Sequence, residues 1–130
     1  MRTIKFRAKK TTNDVWVYGS LVYSNDLDAA IYFQKGNGSV KSMDWVYVNT
    51  ETVGQFTELF DANQKEIYEG DIIRLVTGYE RNHDGTFVEK AKEITVEYDL
   101  ASFNICSFAL VTDNIEVIGN IHDNPELINK

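Results

Sequence analysis

The sequence has little cysteine and no cluster of residues that binds metals. Cys106 is the single cysteine in 130 residues, so the chain cannot form an internal disulfide. A chain of this length buries roughly two-thirds of the surface that it exposes when unfolded. We therefore expect a core that needs neither a disulfide nor a metal. Cys106 lies in the apolar stretch 105–110 with no His or cation close in sequence, which predicts a buried apolar side chain and not a catalytic thiol.

Long apolar runs and several enzyme motifs are also missing. No run approaches the length of a membrane span, and the charged start 1–6 has no apolar run behind it, so no secretion signal is expected. These absences predict a cytoplasmic protein. Neither a glycine-rich phosphate loop before a helix nor a nucleophile elbow is present. We predict that the protein is not an enzyme and that it uses no cofactor.

The charge is acidic and unevenly distributed. The net charge is −7; residues 1–66 carry eight basic and eight acidic side chains, whereas residues 67–130 carry five and twelve. An acidic surface repels phosphate backbones. The exception is a basic cluster at the start of the chain, formed by Arg2, Lys5, Arg7, Lys9 and Lys10. These residues either guard an edge strand against aggregation or bind a polyanion.

Strand-like alternation dominates the chain, and no long segment has helical periodicity. The fold class predicted is mainly β, with short strands in a barrel-like or sandwich arrangement. Gly19 interrupts an otherwise apolar strand, which predicts a bulge or the close approach of another backbone. The predicted strands cover residues 3–8, 15–23, 30–34, 43–48, 55–57, 59–60, 66–68, 72–76, 87–99, 103–111 and 115–121.

Turn residues punctuate these strands. The segment Asp61–Lys65 predicts a hairpin, and residues 69–71 predict a second sharp turn. Residues 78–86 are predicted to form a long polar loop that ends in a favoured hairpin pair. Short helical turns are predicted before Val53 and at Pro125.

Few residue groups offer chemistry. Asp61, Asn63 and Lys65 begin like a calcium loop, but Lys65 is a cation where an oxygen ligand is needed and Ile72 replaces the bidentate Glu. His83 and His122 could join a carboxylate only if the fold brought them together. A row of carboxylates along one strand predicts a solvent-facing acidic surface: Glu89, Glu93, Glu97 and Asp99. We predict no metal site.

Aromatic side chains in the first four strands are the more interesting set. Trp16, Tyr18, Trp45 and Tyr47 lie in strands with apolar residues on both faces. They are either core, covered by another subunit, or an open binding patch. The residues that we predict to take part in an interaction are Arg2, Lys5, Arg7, Trp16, Tyr18 and Trp45.

Three segments in order resemble the YopX family. They are residues 1–8 followed by 18–21, residues 51–73 with the stretch Asp61–Ile73 at their centre, and residues 115–127. The chain departs from the family at Glu58, Phe60 and Gln64, where Gly, Lys and Gly are usual. The hairpin is therefore expected to be stiffer here.

The resemblance implies an origin in a phage, a prophage or a related mobile element. It also implies an N-terminal β-rich part over residues 1–65 and a C-terminal SH3-like barrel over residues 66–130, and it supplies no catalytic residue. The function predicted is a non-enzymatic interaction module that acts on a host or phage protein, as a small oligomer. The alternative is a nucleic-acid-binding small barrel that uses the basic N-terminal strand.

Overall fold

The computed structural model describes residues 4–24, 28–36, 42–99, 102–103 and 114–128. The prediction of a mainly β fold is confirmed: the helical segments among these residues are three-residue 3₁₀ turns. Contacts within the chain separate a first unit, Met1–Phe56, from a second unit, Thr57–Lys130. This boundary comes before the one predicted between residues 65 and 66.

The first unit is an antiparallel sheet with the strand order β4-β3-β2-β1-β5. A 3₁₀ turn, Thr50–Thr52, precedes β5 as predicted. The strand β5 begins in the first unit and ends in the second. The bounds are β1 Phe6–Lys9, β2 Trp16–Ser24, β3 Asp28–Lys35, β4 Ser42–Val48 and β5 Gly54–Phe60.

This sheet curls until its first and fourth strands meet at one end. Lys10 forms an antiparallel bridge with Val48, and the Thr11 amide donates to the Tyr47 carbonyl at 3.2 Å. The curl encloses an apolar core on one face of the strands. The core contains Ala8, Ala29, Ile31 and Val48, with Phe6, Val17, Leu21, Val46 and Val53 packed against it.

Gly19 lies where β2 passes close to the backbone of β3. A Cβ at this position would overlap the backbone carbonyl oxygen of Tyr32 on β3. The predicted close approach of another backbone is therefore confirmed, since only a residue without a side chain fits there.

The second unit contains a three-stranded antiparallel sheet with the order β11-β7-β8 and a short pair, β9 and β10. Its core is formed by Ile67, Ile73, Leu75, Val96 and Ile115. The chain's last 3₁₀ turn, Pro125–Leu127, begins at the predicted proline. The bounds are β6 Glu66–Tyr68, β7 Asp71–Arg81, β8 Phe87–Thr95, β9 Tyr98–Asp99, β10 Ser102–Phe103 and β11 Ile115–Asn120.

Two predicted boundaries in this unit are wrong. The strand β7 continues to Arg81, so the turn between β7 and β8 is far shorter than the predicted loop over residues 78–86. A register shift between Val76 and Gly78 accommodates the glycine without ending the strand. The predicted strand 87–99 is broken at Val96. The strand predicted over 103–111 falls almost wholly outside the described residues, and the SH3-like barrel stays a prediction.

Asp61 organises the hairpin between β5 and β6. Its side chain is 3% exposed and accepts hydrogen bonds from the amides of Asn63, Lys65 and Val117, at 2.8, 2.9 and 3.0 Å. The last of these amides belongs to β11, so one carboxylate joins the turn to a strand distant in sequence. This confirms the predicted hairpin.

Two residues near the hairpin have left-handed backbones although each carries a side chain. Gln64, in the hairpin turn, has a φ of 67°, and Glu58, on β5, has a φ of 69°. Residues with a Cβ adopt this conformation at a cost of about 1–2 kcal/mol. Backbone strain therefore lies at both Gln64 and Glu58.

Candidate functional site

Five aromatic side chains of the first unit share the face of the sheet opposite its core: Trp16, Tyr18, Tyr32, Trp45 and Tyr47. Residues paired across antiparallel strands project to the same side, and the pairs Lys9–Trp16, Arg7–Tyr18 and Tyr32–Trp45 belong to one side. We call this surface the aromatic face. Its residues are Lys5, Arg7, Lys9, Trp16, Tyr18, Ser20, Val22, Ser24, Asp28, Ala30, Tyr32, Gln34, Met43, Trp45 and Tyr47.

Several rings on the aromatic face are open to solvent. Tyr18, Trp45 and Tyr47 are 46%, 44% and 48% exposed. Trp45 stacks on Tyr32 with 6.1 Å between ring centroids, and its edge meets Tyr47 at 4.9 Å. Such stacked and edge-to-face pairs contribute about 0.5–1.5 kcal/mol each. The rings are thus held in place before anything binds to them.

The basic side chains of the aromatic face lie over aromatic rings. The Arg7 guanidinium carbon is 4.6 Å from the Trp16 ring centroid, and the Lys9 ammonium is 5.4 Å from it. The Lys5 ammonium lies 5.5 Å from the ring of Phe56. Arg7 is only 6% exposed. The basic side chains of β1 therefore stabilise the first unit through cation–π contacts, and they also make this face positively charged.

On the described strands of the aromatic face, the basic side chains of Lys5, Arg7 and Lys9 outnumber the carboxylate of Asp28, at the start of β3, although the whole chain carries a net charge of −7. A cavity of about 470 Å³ opens beside Tyr47. It is lined also by Thr11, Asp28, Ala29, Val48, Asn49 and Thr50. This volume lies within the range of small-molecule and side-chain pockets.

The structure brings five of the six predicted interaction residues onto one face. These are Lys5, Arg7, Trp16, Tyr18 and Trp45; Arg2 lies outside the described residues. Sequence reasoning did not select Tyr32 or Tyr47 for this set. Their spacing of two from other outward residues within β3 and β4 was a usable signal, but only the cross-strand register shows that they adjoin Trp45.

The other candidates for chemistry are dispersed. His83 is exposed in the turn between β7 and β8, and His122 is half-buried in the turn after β11. No group of three His, Cys, Asp or Glu that could hold a metal ion occurs in the described part of the chain. Cys106 lies outside it. No helix among the described residues is long and apolar enough to cross a membrane.

The predicted carboxylate row is interleaved with cations. Glu89 forms an ion pair with Arg74 at 3.0 Å, and Arg74 is also the cross-strand partner of Glu93. Glu97 is exposed, and the Asp99 side chain is not among those described. A paired, solvent-exposed row of this kind fits a surface role.

The fold and this surface define a class: a small, mainly β protein of two units, one of which presents an aromatic and basic face. The chain belongs to the YopX family, because the family model described as YopX protein matches residues 5–129. A solved structure, the crystal structure of protein EF1440 from Enterococcus faecalis, is similar. It shares 26% identity and a TM-score of 0.63, over 98% of this chain and 99% of that chain. A search of the curated proteins found no match.

Proposed function

We propose that this protein is a non-enzymatic interaction module that binds an acidic segment of another protein on its aromatic face. The observation that carries the proposal is the set of rings of Tyr18, Trp45 and Tyr47, each close to half exposed, on a surface whose basic side chains outnumber its carboxylate, Asp28. Exposed aromatic clusters of this kind mark protein interaction sites.

The geometry favours binding for two reasons. Tyr32, Trp45 and Tyr47 already contact one another, so little side-chain freedom is lost when a partner covers them. The charge distribution supplies the second reason. An acidic partner is attracted to Lys5 and Lys9, which are less buried than Arg7, and repelled by the acidic second half of the chain, which selects this face for the encounter.

The partner that we infer is a host or phage protein in the bacterial cytoplasm. This setting follows from the resemblance of the sequence to prophage-encoded proteins. The proposal assigns no catalytic residue and no cofactor. The protein's effect on its partner would come from occupying a surface of that partner.

Binding of single-stranded nucleic acid is the second candidate. Exposed rings beside lysines are what stacking of bases and contact with phosphates require, and Tyr18, Trp45 and Lys9 supply both. The position of Arg7 weighs against it. Its guanidinium is buried against Trp16, so it is poorly placed to reach a phosphate, and neutralised phosphates supply most of such affinity.

Selection from a displayed peptide library on the immobilised protein tests the proposal. We expect the selected peptides to be acidic, and we expect Trp45→Ala combined with Tyr47→Ala to weaken their binding at least about tenfold, as loss of an aromatic hot spot does. Tyr23→Ala is the matched control. Tyr23 is 55% exposed, but it projects from the opposite side of β2, so its loss should leave peptide affinity unchanged.

Two results would contradict the proposal. One is a selection that yields basic peptides, or peptides that bind the double variant as well as the native protein. The other is tight binding of an oligo(dT) probe in fluorescence anisotropy, weakened by salt with a slope of about 0.7 per phosphate contacted. That second result would favour the nucleic-acid candidate.

A further inference from the structure

The outer parts of β7 and β8 form a two-stranded ribbon with almost no cover. Every residue from Thr77 to Glu93 is exposed except Gly78, which is half-buried. Three large apolar side chains lie on this ribbon: Tyr79 is 65% exposed, Phe87 is 68% and Val88 is 50%. An isolated two-stranded ribbon is marginally stable in water. Its extension into solvent with aromatic rings attached therefore calls for an explanation.

Polar contacts hold the ribbon in shape. At its turn, the Asn82 amide donates to the Thr86 carbonyl at 2.7 Å, and Asp84 accepts from the Thr86 hydroxyl and amide at 2.6 and 2.9 Å. These two hydrogen bonds lower the pKa of Asp84 below its usual value, and the bond from the hydroxyl has the larger effect. Lys90 pairs with Glu80 across the strands at 3.4 Å. The ribbon is thus formed in advance of any contact.

One side of the ribbon is patterned along its length, and we call it the ribbon face. The cross-strand pairs Ile72–Thr95, Arg74–Glu93, Val76–Ala91, Tyr79–Glu89 and Arg81–Phe87 define it. Its tip carries the rings of Tyr79 and Phe87. Its middle carries an Arg74–Glu89 ion pair.

The base of the ribbon face opens into a cavity of about 430 Å³. Apolar side chains of the sheet and of the C-terminal turn form much of its lining. The lining residues are Ile72, Arg74, Ala91, Lys92, Glu93, Leu127 and Ile128. Ile72 and Tyr79 are separated along β7 by roughly 23 Å at the usual rise per residue. The tip rings of one chain therefore cannot fill the cavity of the same chain.

We propose that two copies of this chain form a two-fold dimer by packing their ribbon faces together in opposite directions. In that arrangement, Tyr79 and Phe87 of each copy lie over the cavity of the other, and the charged middles meet each other. Because the middle of the ribbon face holds Arg74 beside Glu89 and Glu93, each copy presents both a positive and a negative charge to the other copy. A surface that is complementary to itself in this way is what an isologous interface requires.

Pairing of the β8 edges is a poorer alternative for two copies. The sequence from Glu89 to Glu93 reads Glu-Lys-Ala-Lys-Glu. An antiparallel copy centred on Ala91 would place Glu89 opposite Glu93 and Lys90 opposite Lys92. Like charges directly opposite destabilise a sheet, and charged edges of this kind prevent strand-to-strand association. The dimer is therefore made by faces and not by edges.

The size of the surface sets the expected affinity. The ribbon face with the cavity lining contains fewer residues than the 20–30 a side of a standard stable interface. We therefore expect a dissociation constant in the micromolar range, and measurement by sedimentation equilibrium from about 1 to 200 µM covers it.

The test compares two sides of the same ribbon. Tyr79→Ser combined with Phe87→Ser should raise the dissociation constant of the dimer at least about tenfold. Val88→Ser should not, because Val88 pairs with Glu80 on the opposite side. Trp45→Ala, on the aromatic face, should also leave the dimer intact, which separates this inference from the proposed function. A native protein that stays monomeric throughout, or an equal loss with Val88→Ser, would overturn it.

Cross-linking checks the geometry. Chains carrying Phe87→Cys are mixed with chains carrying Ile128→Cys, both with Cys106→Ser. We expect a disulfide between the two kinds of chain under mild oxidation, and little when Val88→Cys replaces Phe87→Cys. Circular dichroism verifies that all variants are folded. Equal disulfide yields from the two mixtures would then contradict the packing of the ribbon tip of one copy on the cavity of the other.

Discussion

Replacement of Asp61 tests the account of how the second unit is held together. The Asp61 carboxylate is buried and accepts amide hydrogen bonds from Asn63 and Lys65 in its own turn and from Val117 on β11. Asp61→Ala removes all three hydrogen bonds at once. Asp61→Asn keeps an oxygen for part of the set and serves as an intermediate case.

The expected loss follows from the exposure of each donor. Asn63 and Lys65 are exposed, so water replaces the carboxylate and each bond contributes about 0.5–1.5 kcal/mol. Val117 is half-buried, and its amide is left without a partner at a cost of about 1–3 kcal/mol. The sum is about 2–6 kcal/mol, a large share of the 5–15 kcal/mol by which domains are usually stable. Asp61→Asn should lose about 1–2 kcal/mol, because one oxygen remains.

Guanidinium unfolding followed by far-ultraviolet circular dichroism gives these free energies, and amide exchange at Val117 locates the change. Asp84→Ala is the matched control: it also removes an aspartate from a turn, but from an exposed one, and its effect should be much smaller. The reasoning would be refuted if Asp61→Ala cost no more than Asp84→Ala. Unchanged protection of the Val117 amide in Asp61→Ala would refute it equally.

Two further substitutions test the backbone arguments. Gly19→Ala places a Cβ against the Tyr32 carbonyl, so thermal or denaturant unfolding should show a loss of stability of about 3 kcal/mol or more. Gly78→Ala is the control: a Cβ there would meet nothing within 4 Å, so this variant should be as stable as the native protein or slightly more stable. A Gly78→Ala variant less stable than Gly19→Ala would contradict the close approach at Gly19. Gln64→Gly removes the strain of a left-handed residue that carries a side chain. It should stabilise the protein by up to about 1 kcal/mol, because the relief of about 1–2 kcal/mol exceeds the stability lost through the extra freedom of glycine in the unfolded chain. A clear loss of stability in the same assay would show that Gln64 is not strained.

Much of the fold could be predicted from the sequence because strands and turns leave local signals. Runs of aromatic and β-branched residues located β2 and β4 to within a residue, and the turn residues of Asp61–Lys65 located the hairpin. Where local signals conflict, the prediction fails. Gly78 and the polar residues after it look like a loop, yet cross-strand pairing with β8 keeps β7 extended to Arg81.

The candidate surfaces depend on pairing between strands, which a single sequence does not state. Trp16 and Arg7 were both selected as interaction residues, but their cation–π contact arises from a diagonal across β1 and β2. That contact buries Arg7 and changes its role. The exposure of Tyr79 and Phe87 was not predicted either, because it depends on how far the β7–β8 ribbon extends beyond the core of its unit.

The segments that carry the family resemblance and the surfaces that carry the proposals are largely different parts of the chain. Asp61 and Gly70 lie in the central family segment and build turns: Asp61 through its side chain, Gly70 through a φ of 91° and backbone bonds with Val96 and Ile121. Trp45 and Phe87, by contrast, lie outside all three segments. Membership of the family therefore accounts for the scaffold. Under the function proposed above, the partner is bound by rings such as Trp45, which lie outside the family segments. Two members with the same fold would then bind different proteins, and a search for the partner would need this chain's own surfaces.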